Sequence, residues 1–319
     1  YPLRRQRQMC IRDRESAMTT ELTRKIKELA RHKNALIVAH NYQPGEIQDI
    51  ADYTGDSLEL SRIAAGTGAS IIVFCGVHFM AEAALILSPE KKVILPAPDA
   101  GCPMADMAAP ADLAAMKEAH PDAAVVTYIN SSAAVKALSD VCCTSANAVK
   151  IVQRLDARKI IFVPDKNLGH YVGRFTEKEI ILWKVHCPAH DRFTPEELRE
   201  VKRAHPGAVT MVHPECRPEV VELADEVFST GGMVKFVRET AHREIIVGTE
   251  IGMIHKLKSV APEKEYIPAS PSLVCPDMKK ITLKKLYRSL EEEGPVVTLD
   301  AGVIEKSRAC LTRMLELSD

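Results

Sequence analysis

Short apolar runs alternate with amphipathic stretches along most of the chain. LIVAH at 36–40, IIVFC at 71–75, AVVTY at 124–128, KIIFV at 159–163, AVTMV at 208–212 and EIIVG at 244–248 are brief and largely apolar. They fit strands buried on both faces, the kind a parallel sheet between two helical layers needs. Between them, apolar spacings of three and four residues predict helices over 47–53, 57–65, 77–87, 111–119, 146–155, 195–204, 218–224, 233–240 and 253–259. Shorter strands are expected at 92–96, 180–185 and 265–268, and near Val141 and Val227. Alternation of this kind predicts an α/β chain built on parallel sheets.

The pattern also repeats. An apolar run ending in a polar side chain, followed seventeen residues later by a hydroxyl at a helix start, occurs three times: His40 with Ser57, Tyr128 with Ser145, His213 with Thr230. A Cys-Pro pair closes each copy, with Cys102, Cys187 and Cys275 lying 62, 59 and 62 residues after the strand-end residue. Three diverged segments in one register point to a triplicated unit. The expected domains are 18–104, 105–190 and 191–282, each an αβα sandwich, arranged with pseudo-threefold symmetry around a central site. Two last helices, 283–292 and 301–317, are expected to cap the first unit as part of the segment 283–319.

Composition narrows the partners. The formal charge is -1 and no long basic run follows the first few residues, so a nucleic-acid footprint is not expected. The most apolar stretch, 71–87, is interrupted by His78 and Glu82, so no membrane span is expected either. Residues 1–17 are basic and lack the apolar core of a secretory signal; they read as a non-native or disordered extension, with Met18 the more natural start. Nine cysteines without an export signal point to a reducing, cytoplasmic setting in which thiols pack, bind metal or react.

If three units surround one axis, equivalent positions meet there, and three thiolates would converge. Three cysteines suit an iron-sulfur cluster with one iron left open to substrate, where it acts as a Lewis acid. The strand-end residues His40, Tyr42, Tyr128, Asn130, His213 and Glu215 would face the same centre, as the carboxyl ends of parallel strands do. Ser57, Ser145 and Thr230 would add hydroxyls beside helix N-termini, a surface for phosphate or carboxylate.

Each residue taken alone has a plainer reading: a buried thiol, an N-cap, a hydrogen-bonded histidine. That reading is kept for Cys75, Cys142, Cys143, Cys216 and Cys310, and His186, His190 and His205 read as surface or loop residues. Register across three copies argues against it for Cys102, Cys187 and Cys275. No GxxxxGK[ST], HExxH, GxSxG, complete GxGxxG or CxxC motif is present, so nucleotide, zinc-protease, serine-hydrolase and thioredoxin chemistries are not expected.

The stretches AHNYQ, GDS, FCGVHFMAE, AGCPMA, TYIN, SAN, HCPAH, VHPE, STGGM, EIIVGTE and PASPSLVCPDMKK closely resemble the quinolinate synthase family, over essentially all of 34–290. The resemblance implies three αβα domains, a 4Fe-4S cluster on Cys102, Cys187 and Cys275, and condensation of iminosuccinate with dihydroxyacetone phosphate to quinolinate, phosphate and water. It implies substrate contacts from His40, Ser57, Tyr128, Asn130, Ser145, His213, Glu215 and Thr230, and proton-handling roles for Tyr42, Glu215 and His40. A functional link to an L-aspartate-oxidising enzyme is the implied source of the imine. One departure is Lys184-Val185, where the family pattern has a Pro-Gly type turn before the cysteine. Two readings stand beside this one. One is a non-catalytic dicarboxylate-binding module with zinc on the three cysteines and a histidine such as His190; the other is an iron-sulfur hydro-lyase acting on a different acid.

Overall fold

A computed structural model describes residues 19–318. The expected extension 1–17 and Met18 lie outside the described residues. After an opening helix at 19–32 the chain forms twelve strands, named here β1 Ala35–His40, β2 Tyr53–Gly55, β3 Ile71–Cys75, β4 Lys92–Ile94, β5 Ala123–Tyr128, β6 Val141–Cys143, β7 Lys159–Val163, β8 Glu179–Leu182, β9 Val209–Val212, β10 Glu226–Val227, β11 Glu244–Gly248 and β12 Glu265–Pro268. They make three four-stranded sheets with the orders β2-β1-β3-β4, β6-β5-β7-β8 and β10-β9-β11-β12. Every strand pairing within them is parallel. Each sheet therefore has its first strand between its second and third, and helices on both faces, as the apolar runs require.

A small polar device recurs in all three. Asp52, Asp140 and Asp225, each just before the short second strand, accept a hydrogen bond from the first strand through Oδ2: from Ile37 N at 2.8 Å, Val125 N at 2.7 Å and Thr210 N at 2.8 Å. The backbone N–H of each aspartate returns a bond to the carbonyl of that same residue. Such a pair satisfies the edge of the central strand ahead of the point where a two- or three-residue strand can reach it.

Several expectations change. The strands expected at 180–185 and 92–96 are shorter, Glu179–Leu182 and Lys92–Ile94. Residues 47–53 are not one helix: the helix ends as Gly45–Ile50, and Tyr53–Gly55 is an edge strand. Tyr53 is exposed and the one buried residue, Gly55, has no side chain, so this strand carries no apolar pattern from which it could be read. The last helix, Ala301–Ser318, does not cap the first unit alone. It packs on the helix His78–Leu87 of the first unit and on β6 and the helices Ala133–Lys136 and Ala148–Arg154 of the second. Before it, the segment around Val296 bonds to β4 through an antiparallel bridge to Ile94 and a bond from Val297 N to Val93 O at 2.9 Å. Lys184-Val185 leaves the loop to Cys187 extended: Val185 bridges Asp165 in parallel fashion and accepts a bond from Lys166 N at 2.7 Å. Among the described residues, no helix is long and apolar enough to cross a membrane.

Candidate active site

The carboxyl ends of the three sheets open on one cavity of about 210 Å³. All twelve residues singled out from the sequence line it, four from each unit: His40, Tyr42, Ser57 and Cys102; Tyr128, Asn130, Ser145 and Cys187; His213, Glu215, Thr230 and Cys275. The hydroxyl residues do not serve as N-caps. Asp56 caps the helix Ser57–Gly66 and Ser229 caps Thr230–Glu239, so Ser57 and Thr230 stand one residue inside the helix start. Ser145 lies in the turn ahead of Ala148–Arg154, which Asn147 closes by accepting from Thr144 N at 2.6 Å. Among the described residues, Ser57 Oγ and Tyr128 Oη take no protein partner, and the buried Asn130 Oδ1 is unpaired. An unpaired buried carbonyl oxygen costs roughly 1–3 kcal/mol unless a ligand or water meets it.

The three cysteines share one local geometry. Each precedes a proline that opens a single helical turn: Pro103–Asp106, Pro188–Asp191, and the 3-10 turn Asp277–Lys279 after Pro276. The backbone N–H three residues on, that of Ala105, His190 or Met278, works to lower the thiol in every case, against the larger effect of burial. Two of the turns are held from behind by a fully buried carboxylate. Asp165 Oδ2 accepts from Cys187 N at 3.1 Å, and Glu250 Oε1 accepts from Cys275 N at 3.3 Å. Lys279 clamps Glu250 at 2.8 Å and donates to the Tyr42 carbonyl at 2.5 Å, tying the third cysteine turn to the first strand end. Gly252 passes through this knot, where an added methyl would lie 2.6 Å from that same carbonyl oxygen.

A hydrogen-bonded chain crosses the cavity floor. Tyr42 Oη lies 2.6 Å from Thr249 Oγ1, which lies 2.8 Å from His190 Nε2. His190 Nδ1 lies 3.1 Å from Glu215 Oε2 and 3.3 Å from Cys187 Sγ. Glu215 Oε2 is also 3.2 Å from His213 Nδ1, and His213 Nε2 is 3.1 Å from Ser145 Oγ. Burial works to raise the Glu215 carboxyl, but His190 and His213 outweigh it and hold the group well below the usual carboxylate range. Burial, with Glu215 next, pushes the Tyr42 and Tyr128 phenols well up, so both keep their protons. Burial also pushes the Cys102 thiol up to about 12 and raises those of Cys187 and Cys275.

A family model described as "NadA: Quinolinate synthetase A protein" matches residues 24–316. The chain belongs to the quinolinate synthetase A family. It is similar to the quinolinate synthase of Geobacter sp. (strain M21), 52% identical over 301 residues that cover 94% of this chain and 99% of that protein. Similar matches are the quinolinate synthases of Methanoregula boonei, 50% identical over 94% of this chain and 99% of the relative, and of Dehalococcoides mccartyi (strain CBDB1), 53% over 93% and 98%. Members of this family are enzymes of NAD biosynthesis.

For a quinolinate synthetase A protein the donor set fits a cluster better than a three-cysteine zinc ion. One tetrahedral zinc at about 2.3 Å from each sulfur needs the sulfurs within roughly 4 Å of one another. Among the described residues, the grouping with ligand atoms mutually within 4.8 Å is Cys187, His190 and Glu215, not the three cysteines. Three half-buried thiols lining a common cavity suit a multi-atom cluster that supplies its own positive charge.

Several site residues stand outside the twelve read from the repeat. His190, expected on a surface or loop and otherwise only as a zinc ligand in the alternative binding module, is buried at 1% exposure and touches Thr249, Glu215 and Cys187. Thr249, Glu250, Lys279 and Asp165 support the site from behind. The signal available for the acids was position: Asp165 and Glu250 each follow the third strand of their unit by two residues.

Proposed function

We propose that the chain condenses iminosuccinate with dihydroxyacetone phosphate, giving quinolinate, phosphate and water for de novo NAD synthesis, with the imine supplied by an L-aspartate-oxidising enzyme. Cys102, Cys187 and Cys275 would hold a 4Fe-4S cluster whose open iron supplies Lewis-acid chemistry to an oxygen or nitrogen of the substrate. Ser57, Ser145 and Thr230, beside N–H groups at or near helix starts, bind the phosphate and carboxylates. Asn130, Tyr128 and His213 orient the chain of the substrate, Asn130 through its unpaired oxygen. His40 and Tyr42 pass protons during phosphate loss and the keto-aldo rearrangement, and Glu215 acts as general acid-base in imine closure and dehydration.

The observation that carries this reading is convergence: four side chains from each of three units meet at one cavity, several with polar atoms unpaired. Anaerobically prepared protein given both substrates should form quinolinate, detected chromatographically. No quinolinate from protein with a full cluster would overturn the reading, and turnover of another hydroxy acid by the same protein would favour the hydro-lyase.

The group Cys187, His190 and Glu215 supports a second reading, a single divalent ion in a non-catalytic binding module. Metal analysis separates the two.

A further inference from the structure

Lys136 is fully buried and takes no part in the proposed chemistry. Its Nζ donates to the Ser131 carbonyl and lies 5.7 Å from the ring centroid of Phe79, a residue of the first unit that lines the cavity. Burying an ammonium is costly unless its partners offset the lost water. Burial lowers its pKa from the ordinary lysine range, but Nζ carries protons to donate in either state. The bond it makes falls on the loop that presents Asn130. Asn130 is the apex of a three-residue turn closed by Ser131 N on Ile129 O at 2.8 Å. One foot of the turn is held by Ile129 N on Cys143 O at 2.8 Å, the other by Lys136 on Ser131 O. Just beyond, Ala133 N donates to the buried Glu82 carboxylate of the first unit at 3.0 Å.

The repeat carries the same device a second time. In the register that aligns Tyr42 with Asn130, Gln48 stands where Lys136 does and Gln43 where Ser131 does. Gln48 is buried too, and its Nε2 donates to Gln43 O at 2.8 Å. In two units, then, a buried donor six residues after a cavity residue holds the carbonyl that follows that residue. The third unit has Val221 at this position, and its loop is held from outside, by Asn167 Nδ2 on the Glu215 carbonyl at 3.1 Å. We propose that Lys136 is a positioning residue for the reaction: by fixing the Ser131 carbonyl it keeps the Asn130 amide, whose Oδ1 is buried and unpaired, turned toward the substrate. The proposal rests on the reading that Asn130 orients the substrate. Without the donor, one foot of the turn is released and the amide is free to swing out of place.

The test compares Lys136→Met, which keeps the long apolar stem and removes the donor, with Lys136→Gln, which supplies the donor that the first unit uses at this register. Both are measured in anaerobically reconstituted holoenzyme, with quinolinate formation read per cluster. Met should lower kcat/KM about 10-fold or more, and Gln should restore it to within a few-fold of wild type. In an Asn130→Ala background the Met change should cost less than about threefold, because Lys136 acts through Asn130. Wild-type kcat/KM in Lys136→Met, a loss that Gln does not restore, or an undiminished loss on top of Asn130→Ala would each overturn the proposal. Lys136→Leu is read the same way if the Met protein does not fold. Wild-type turnover in Asn130→Ala would overturn the reading of Asn130 and the proposal with it. Failure of the wild type itself to make quinolinate would sink the proposed reaction, a result distinct from all of these.

Discussion

Glu215 is where most of the polar contacts in the cavity close, with His190 and His213 both within 3.2 Å of one carboxylate oxygen and Asn130 Nδ2 at 3.5 Å from the other. Replacement by Gln keeps the shape and removes the charge and the acid-base function. Glu215→Gln should lower kcat by about 10²–10⁴-fold, read as quinolinate formed per cluster, and unchanged turnover would remove Glu215 from the proposed scheme. His40 gives a prediction of another kind. Burial, with His213 second, pushes its imidazole down to about 3, whereas an unfolded histidine titrates near ~6.5. The unfolded chain therefore binds a proton that native His40 refuses. The stability this contributes is complete above about pH 6.5 and is lost as pH falls from there toward 3, by up to ~1.4 kcal/mol per pH unit. Thermal midpoints should drop between pH 6.5 and pH 5, and drop less in His40→Asn; parallel declines would contradict it. The triplicate register displays twelve of these residues, whereas His190 reads only as a surface or loop residue or as a zinc ligand in the alternative module. Repeat logic shows only what recurs, and the positions three residues after the other two cysteines hold Ala105 and Met278.

At the level of elements, the long buried strands and most helices were legible because their apolar spacing is set by two-sided burial. The edge strand Tyr53–Gly55 was not, being three residues long with an exposed tyrosine and no alternation to detect. The cysteine turns show what pattern reading does and does not reach. Cys-Pro in three registers marked the turns, but the carboxylates behind two of them come from other loops. Asp165 uses Oδ1 to hold Asn167 N at 2.8 Å and Leu168 N at 2.9 Å, leaving Oδ2 for Cys187 N. Asp165→Asn can keep the Oδ1 bonds while facing an amide N–H group against the Cys187 N–H. It should cost only about 1–3 kcal/mol of stability yet release iron to a chelator several-fold faster than wild type. Equal iron-release rates, followed by absorbance, would show that the carboxylate does not set that turn.

For the whole molecule, three sheets of identical strand order deliver equivalent loops to one cavity, while the last helix breaks the equivalence by lying across the first and second units. The sequence showed that helix as a helix, but its partners lie far away along the chain and no local pattern names them. What unites the molecule is the shared cavity, and the central claim is that Cys102, Cys187 and Cys275 face it to hold one inorganic cluster. The most direct measurement is iron, acid-labile sulfide and zinc per chain in anaerobically purified protein, repeated with each of the three cysteines changed to Ala. The account predicts about four iron and four sulfide per chain, falling sharply in all three variants. A single zinc without sulfide, or iron content indifferent to these substitutions, would contradict it.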